Sequence, residues 1–237
     1  MTLRRLLALW LLLCMGTYAL AQSIPLTGAG GKFKAAGGGG GGGGATFDPA
    51  TLSGQSLDAT HLITTATSTT AAGINGAETS VRHTASGGDK VVCEFTIGTD
   101  AGSESIGVGF GNAHYFPGDS AGGGGGRWLG GGNNSGFPTS SMGYYDDGII
   151  YMNSSAVTTV AGFTTGDVIS MELDNSSGVN TIQFFKNGTS VYGPTAHGVT
   201  SGDYAAAATA NTINDSVTLN CGQNAWTHTP TSGFVGW

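Results

Sequence analysis

Thr181-Ile182-Gln183-Phe184-Phe185-Lys186-Asn187-Gly188-Thr189 is a short strand running into a reversal. Aromatic and β-branched residues favour extended backbone. Asn-Gly between two such runs is the strongest short hairpin signal, because the tight turn needs positive φ at both central residues. Upstream, Met171-Glu172-Leu173-Asp174 enters Asn175-Ser176-Ser177-Gly178 and returns through Thr181, so another hairpin precedes this one. Tyr145-Asp146-Asp147-Gly148-Ile149 holds an Asp-Gly turn of the same kind.

Outward from these turns, strands are expected at 57–65, 78–83, 90–97, 105–109, 142–145, 149–153, 167–173, 181–186 and 217–221. Several alternate apolar and polar residues with the period of two that a half-buried strand requires. No stretch sustains the helical spacing over three turns; the exception in kind is 204–210, which is Ala-rich but short. The pattern predicts an all-β sandwich over residues 47–237.

Composition narrows the function classes. Charged residues make up 10% of the 237 positions, against about 25% in an ordinary globular chain. A helical bundle is excluded, and so is collagen, since the 44 glycines keep no three-residue period and prolines number only 6. The formal charge of −7 is wrong for a nucleic-acid binder.

The N-terminus reads as a targeting segment. Arg4 and Arg5 precede an apolar stretch from Leu6 to about Tyr18, and Ala19-Leu20-Ala21 offers small residues for cleavage. The apolar core is short for a bilayer span. The expectation is a signal peptide over 1–21 cut after Ala21, a secreted chain, and no membrane contact once the leader is gone. Six basic side chains then face fifteen acidic ones, a formal charge of −9.

Residues 22–46 are expected to form a glycine-rich flexible linker, with eight consecutive glycines at 37–44. Almost no side chain is available there to offset the entropy of ordering. The alternative is a polyglycine segment packed between chains of an assembly. A second glycine run at 122–126 leads into Arg127-Trp128-Leu129 and then into glycine again at 130–132. It interrupts the sandwich, so it reads as an inserted loop.

Cys93 shares a strand face with Phe95 and Ile97, and Cys221 shares one with Val217 and Leu219. Both thiols should point into the core. A disulfide and a pair of buried thiols both fit; if the strands are neighbours, a bridge would close almost the whole domain.

With the strands placed, the sequence resembles the SPRY family from about Phe47 to the C-terminus. Lys90-Val91-Val92-Cys93-Glu94-Phe95-Thr96-Ile97 is similar to its "KWYFEVTI" strand, and Ile106-Gly107-Val108-Gly109 to "IGIA". Ser141-Met142-Gly143-Tyr144-Tyr145, Asp147-Gly148 and Tyr151-Met152-Asn153 resemble "SWGYYSDGKIYHNG". Gly166-Asp167-Val168-Ile169 with Phe184-Phe185-Lys186-Asn187-Gly188 resembles "GDVIGVALDLDNGTISFYKNG". Val217-Thr218-Leu219-Asn220-Cys221-Gly222-Gln223, then Pro230 and Gly233-Phe234, resemble "VTLNFGQ…PPEGF". Met142 stands where the family has Trp, and Cys221 where it has Phe. The resemblance implies a bent antiparallel two-sheet sandwich of the concanavalin-like jelly-roll kind, without catalytic machinery. Such modules occur in bacterial secreted and phage structural proteins.

The functional expectation is an exported recognition module that binds a protein, peptide or glycan through sandwich-end loops. No cofactor and no metal are expected. The candidate ligand surface comprises Tyr115, Phe116, Arg127, Trp128, Tyr144, Tyr145, Asp146 and Asp147, with His114 beside them. Aromatic rings among polar side chains can stack on sugars or anchor peptides. Tyr144 and Phe116 also fit an ordinary sandwich core. Asp146-Asp147 with Asn153 could bind calcium, but an Asp-Gly turn needs no metal. Glu172-Leu173-Asp174 begins the carboxylate pattern of concanavalin-like glucanases, but the third carboxylate is missing. The five histidines are scattered and read as solvated loop or edge residues. The alternatives are a structural component of a virion or cell-surface assembly and, at lower weight, a carbohydrate-active enzyme.

Overall fold

The computed structural model describes residues 44–52, 54–67, 76–102, 106–112, 129–130, 141–198 and 202–237. They form two antiparallel sheets. Sheet one contains β1 (Gln55–Leu57), β2 (Ile63–Ala66), β5 (Lys90–Thr99), β10 (Val168–Asp174), β11 (Thr181–Lys186), β12 (Thr189–Ala196), β14 (Ser216–Asn220) and β15 (Val235–Gly236). Its order is β1-β2-β14-β5-β10-β11-β12, with β15 added parallel to β5. Sheet two contains β3 (Gly76–Glu78), β4 (His83–Thr84), β6 (Ile106–Asn112), β7 (Met142–Tyr145), β8 (Ile149–Met152), β9 (Ser155–Thr159) and β13 (Asp203–Ala210). Its order is β3-β13-β6-β7-β8-β9, with β4 on β13.

The core lies between the sheets and is filled by alternate residues of their strands. Val91, Cys93, Phe95 and Ile97 of β5 meet Ile169, Met171 and Leu173 of β10, and Phe184 of β11. From sheet two come Ile106, Val108, Phe110, Met142, Tyr144, Ile150, Tyr204, Ala206 and Ala208. Each large side chain taken out of water there contributes about 1.5–3 kcal/mol.

Cys93 and Cys221 are joined by a disulfide. The β5–β14 ladder pairs Phe95 with Leu219 and Glu94 with Asn220, which sets the cysteines opposite each other one position further on. Their Cα atoms lie 4.3 Å apart, close to the roughly 4.5 Å of a directly opposed pair that shares no backbone hydrogen bond. Both residues are fully buried.

Several expectations change. The strand expected at 78–83 is two short ones, β3 and β4, with residues 79–82 outside both. The strand expected at 57–65 is a hairpin of two, β1 and β2. The Asp58 carboxylate closes it by accepting the amides of Thr60, Leu62 and Ile63 at 3.1, 2.9 and 2.9 Å. The Thr60 hydroxyl, with those amides, holds this carboxyl down at about 2. The Ala-rich stretch at 204–210 lies in β13, a central strand enclosed on both faces. Alanine favours helices only as a weak prior, which tertiary packing overrides. Here its small side chains fit a strand buried on both sides, and β6 opposite supplies Gly107, Gly109 and Gly111. Finally, residues 44–46, read as the end of the linker, are within the fold. Ala45 is buried, and its amide donates to the Trp237 carbonyl at 3.3 Å. A Cβ at Gly44 would stand 2.6 Å from the Cys221 carbonyl oxygen, so this close approach requires glycine.

His197 is not a solvated edge residue either. It is fully buried, its ring edge-on to Phe110 at 5.1 Å, with Nε2 3.2 Å from Asn175 Oδ1. Asn175 donates in turn to the Tyr204 hydroxyl. Burial lowers the His197 pKa from 6.5 to about 4. Between those values the unfolded chain binds a proton that the folded chain refuses. Stability from this residue is therefore complete above about pH 6.5 and is lost as the pH falls toward 4. The expected loss is about 3 kcal/mol in urea unfolding free energy between pH 7 and pH 4. His197→Gln should flatten that slope; an unchanged slope in the variant would refute the assignment.

Candidate functional site

The inserted segment between β6 and β7 meets the scaffold at Leu129–Gly130. Leu129 is fully buried against Tyr145 and Ala207 on the outer face of sheet two, away from the main core. Its carbonyl accepts the Tyr145 hydroxyl at 2.9 Å. The Gly130 amide donates to Ser141 Oγ at 3.0 Å, and its carbonyl accepts the Ser154 amide at 2.7 Å. Below them Gly143 leaves the space: a Cβ there would lie 2.6 Å from the Leu129 carbonyl oxygen. The segment is thus pinned, one residue after Trp128, to a rigid strand surface.

The structure separates the expected site residues. Tyr115, Phe116, Arg127, Trp128 and the neighbouring His114 lie outside the described residues. Tyr144 is core: it is fully enclosed, its hydroxyl donates to the Ala161 carbonyl, and its ring stands edge-on to Phe163 at 5.0 Å. Burial, with a smaller effect of Asp167, raises its pKa to about 12. Tyr145 is buried under Leu129 and has no open face to give a ligand. Asp146 and Asp147 shape the β7–β8 turn. Asp146 accepts the Asp147 amide at 3.0 Å, and Asp147 accepts the Ile149 amide at 2.8 Å. Of the two readings open for Tyr144, ligand surface or ordinary core, the structure takes the core; nothing in the sequence marks Leu129 as the lid over Tyr145.

On the outer face of sheet one, two carboxylates hold residues 222–237, the strap that follows β14. Glu94 lies on β5 between the inward-facing Cys93 and Phe95, so it points outward, yet it is almost fully buried. It accepts the amides of Thr227 at 2.9 Å and His228 at 2.6 Å, and the Asn220 side chain at 3.2 Å. Glu172 on β10 accepts the Thr231 amide at 2.7 Å. Asp174 pairs with Lys90 at 2.7 Å and closes the following turn on the Ser176 amide at 2.8 Å. The glucanase-like Glu172-Leu173-Asp174 is thus spent on the strap and on a hairpin. The strap ends in β15 and Trp237, whose indole donates to the Val81 carbonyl at 3.0 Å and packs edge-on to Tyr204 at 5.5 Å.

The two-sheet architecture as a whole matches solved structures closely enough to decide the fold. The SPRY domain of human HERC1 aligns with a TM-score of 0.55 at 19% identity, covering 73% of this chain and 96% of that domain. The fold is that of a SPRY domain. The TRIM65 PSpry domain aligns with a TM-score of 0.53 at 14% identity, over 75% of this chain and 89% of that one. Stonustoxin contains a similar unit, at a TM-score of 0.50 and 15% identity, over 75% of this chain and 27% of that one. No protein-family model matches the sequence, and no curated protein is similar to it. Among the described residues of this SPRY fold, no helix is long and apolar enough to cross a membrane. No group of three His, Cys, Asp or Glu among them could hold a metal ion. The buried disulfide fits an oxidising compartment outside the cytoplasm.

Proposed function

We propose that the chain is an exported, non-catalytic recognition module that binds a protein or peptide partner through the inserted segment carrying Arg127 and Trp128. The anchoring of Leu129–Gly130 on sheet two carries this reading. Binding residues are commonly found on loops positioned by a rigid scaffold, and here the loop is fixed immediately beside its only tryptophan. Tryptophan and arginine are the residue types most often found as interface anchors. The leader at 1–21 and the disulfide support export. The buried carboxylates support a non-catalytic role, because each is committed to holding the fold.

A peptide and glycan array probed with the mature wild type and with Trp128→Ala tests the proposal. The expected result is a peptide or protein signal that falls at least tenfold in the variant, a loss of about 1.4 kcal/mol or more. Equal signals from both would refute Trp128 as an anchor, and a signal confined to glycans would refute the partner class. Size exclusion adds a second check: a large assembly of the mature chain alone would favour a structural component over a recognition module.

A further inference from the structure

The outer face of sheet one carries a cleft, on the other sheet from the one where Leu129–Gly130 anchor. It measures about 330 Å³ and lies between the strap, the start of β10 and the β11–β12 turn. Val168, Asn187, Gly188, Thr227, His228 and Thr229 line it. Val168 forms an apolar floor. It belongs to the outward-facing set of β10, with Ser170 and Glu172, and its carbonyl and amide are both taken by Asn187 at 2.8 Å. The rim consists of the exposed threonines 227 and 229 and the turn glycine. One wall is the imidazole of His228, tilted over Phe185 at 4.7 Å.

The wall is incompletely satisfied. His228 Nε2 is buried with no hydrogen-bond partner. Its other ring nitrogen faces Gly188, 3.2 Å from where a Cβ on that glycine would stand. Nearby on the same sheet face, Ser170 Oγ and Glu172 Oε2 are also buried and unpartnered. Three such atoms in one layer are unusual, because buried polar groups nearly always find partners. Ser170 and Glu172 lie beneath the strap without lining the cleft, so of the three only the His228 ring forms part of its wall.

The charges at this end of the sheet are already neutralised. Lys186 pairs with Asp167 at 3.0 Å and donates to the Gly162 carbonyl at 2.6 Å. Asp167 also accepts Asn187 Nδ2 at 2.7 Å and the Thr164 amide at 2.9 Å. Among the described residues no Asp, Glu, Lys or Arg lines the cleft, so they offer a charged ligand no counter-charge there. An extended peptide has no ladder to join there, because β10 is paired with β5 and β11, and β11 with β10 and β12. What remains is a pocket at the small end of the ligand-binding range, with hydroxyl, amide and imidazole groups around an apolar floor. That chemistry suits a ring with hydroxyls at its rim and C–H groups on its face.

We propose that this cleft is a second binding site, which takes a single neutral sugar unit with Val168 beneath the ring and Thr227, His228 and Thr229 bonding its hydroxyls. A ligand of this size in an open site should bind with a Kd on the order of millimolar. The test is titration of the ¹⁵N-labelled mature chain with D-glucose and with N-acetyl-D-glucosamine, each to about 50 mM, well above that Kd. Saturable amide shifts are expected at Gly188 and at residues 227–229, with a change in the His228 ring nitrogen resonance. Gly188→Asn keeps a residue that tolerates the left-handed backbone and pushes a side chain toward His228, so it should weaken binding at least tenfold. Thr229→Val removes one rim hydroxyl at an exposed position and should weaken binding severalfold; it decides the matter if Gly188→Asn does not fold. Trp128→Ala should leave these shifts unchanged, which separates this site from the peptide site. No saturable shift at these residues with either sugar would overturn the proposal. So would binding that survives unaltered in both cleft variants.

Discussion

Replacing Cys93 and Cys221 together by alanine is expected to lower the unfolding free energy by about 3–5 kcal/mol, and the melting temperature by roughly 10 °C. The bridge joins residues 128 apart in sequence. In the chain-entropy account, a loop of that length restricts the unfolded ensemble by about 5 kcal/mol, and native-state relaxation takes back part of this. The local geometry favours the upper half of the range. The two cysteines are directly opposed on adjacent strands and sit in the packed core with Phe95 and Leu219, so the double variant also loses two buried sulfurs. Because both are shielded from solvent, a mild reductant should leave the native bridge intact and attack it only on unfolding. Differential scanning calorimetry of wild type and variant measures the effect. A shift of less than about 2 °C would mean that the bridge adds little to a fold already fixed by its ladders.

Much of this fold was legible because its turns carry their own chemistry. Asn187-Gly188 and Asp147-Gly148 each reverse the chain where expected, and both glycines adopt positive φ, at 78° and 88°. The alternation in β5, β10 and β14 placed both cysteines inward. The sequence was silent where burial comes from something distant. β9 and β12 are sheet-edge strands whose residues stay largely exposed, so they show no alternation of burial to read. The β1–β2 hairpin was read as one strand because its turn depends on a single carboxylate rather than on glycine. β13 looked mildly helical because a strand enclosed on both faces has no polar side.

The site was less legible, for the same physical reason. Glu94 and Glu172 occupy outward positions of their strands, where a carboxylate ordinarily meets water. They are buried because the strap crosses them, and Thr227-His228-Thr229-Pro230-Thr231 has no hydrophobic period to announce that it packs on anything. Tyr144 and Tyr145 look alike in sequence, but one fills the core and the other lies under Leu129. A two-layer picture predicts the first burial and cannot predict the second, since the covering residue belongs to an insertion.

Glu94→Ala should therefore be far more damaging than an ordinary change on the outer face of a sheet, at about 3–5 kcal/mol. The carboxylate accepts two strap amides and the Asn220 side chain. Hydrogen bonds to a charged acceptor are worth about 1.5–3 kcal/mol each, though bonds sharing one acceptor do not add in full. Alanine would leave those donors in a place water reaches poorly. The strap should then lift, and with it β15 and the Trp237 ring between Tyr204 and His83. Glu94→Gln should cost less, about 2 kcal/mol, because it keeps the shape and one acceptor but turns an amide donor toward a donor. Glu172→Ala is the internal control: that side chain accepts one amide of the strap, and its second oxygen has no partner, so its loss should be about half as costly. Hydrogen exchange at Thr227, His228 and Thr231 reads the local opening, and tryptophan fluorescence reads the release of Trp237. The expected order is Glu94→Ala worst, with Glu94→Gln and Glu172→Ala close together at about half that cost. If Glu94→Ala costs less than about 1 kcal/mol and the strap amides stay protected, the strap is held by the β15 ladder and Trp237 packing alone, and the buried carboxylates need another explanation.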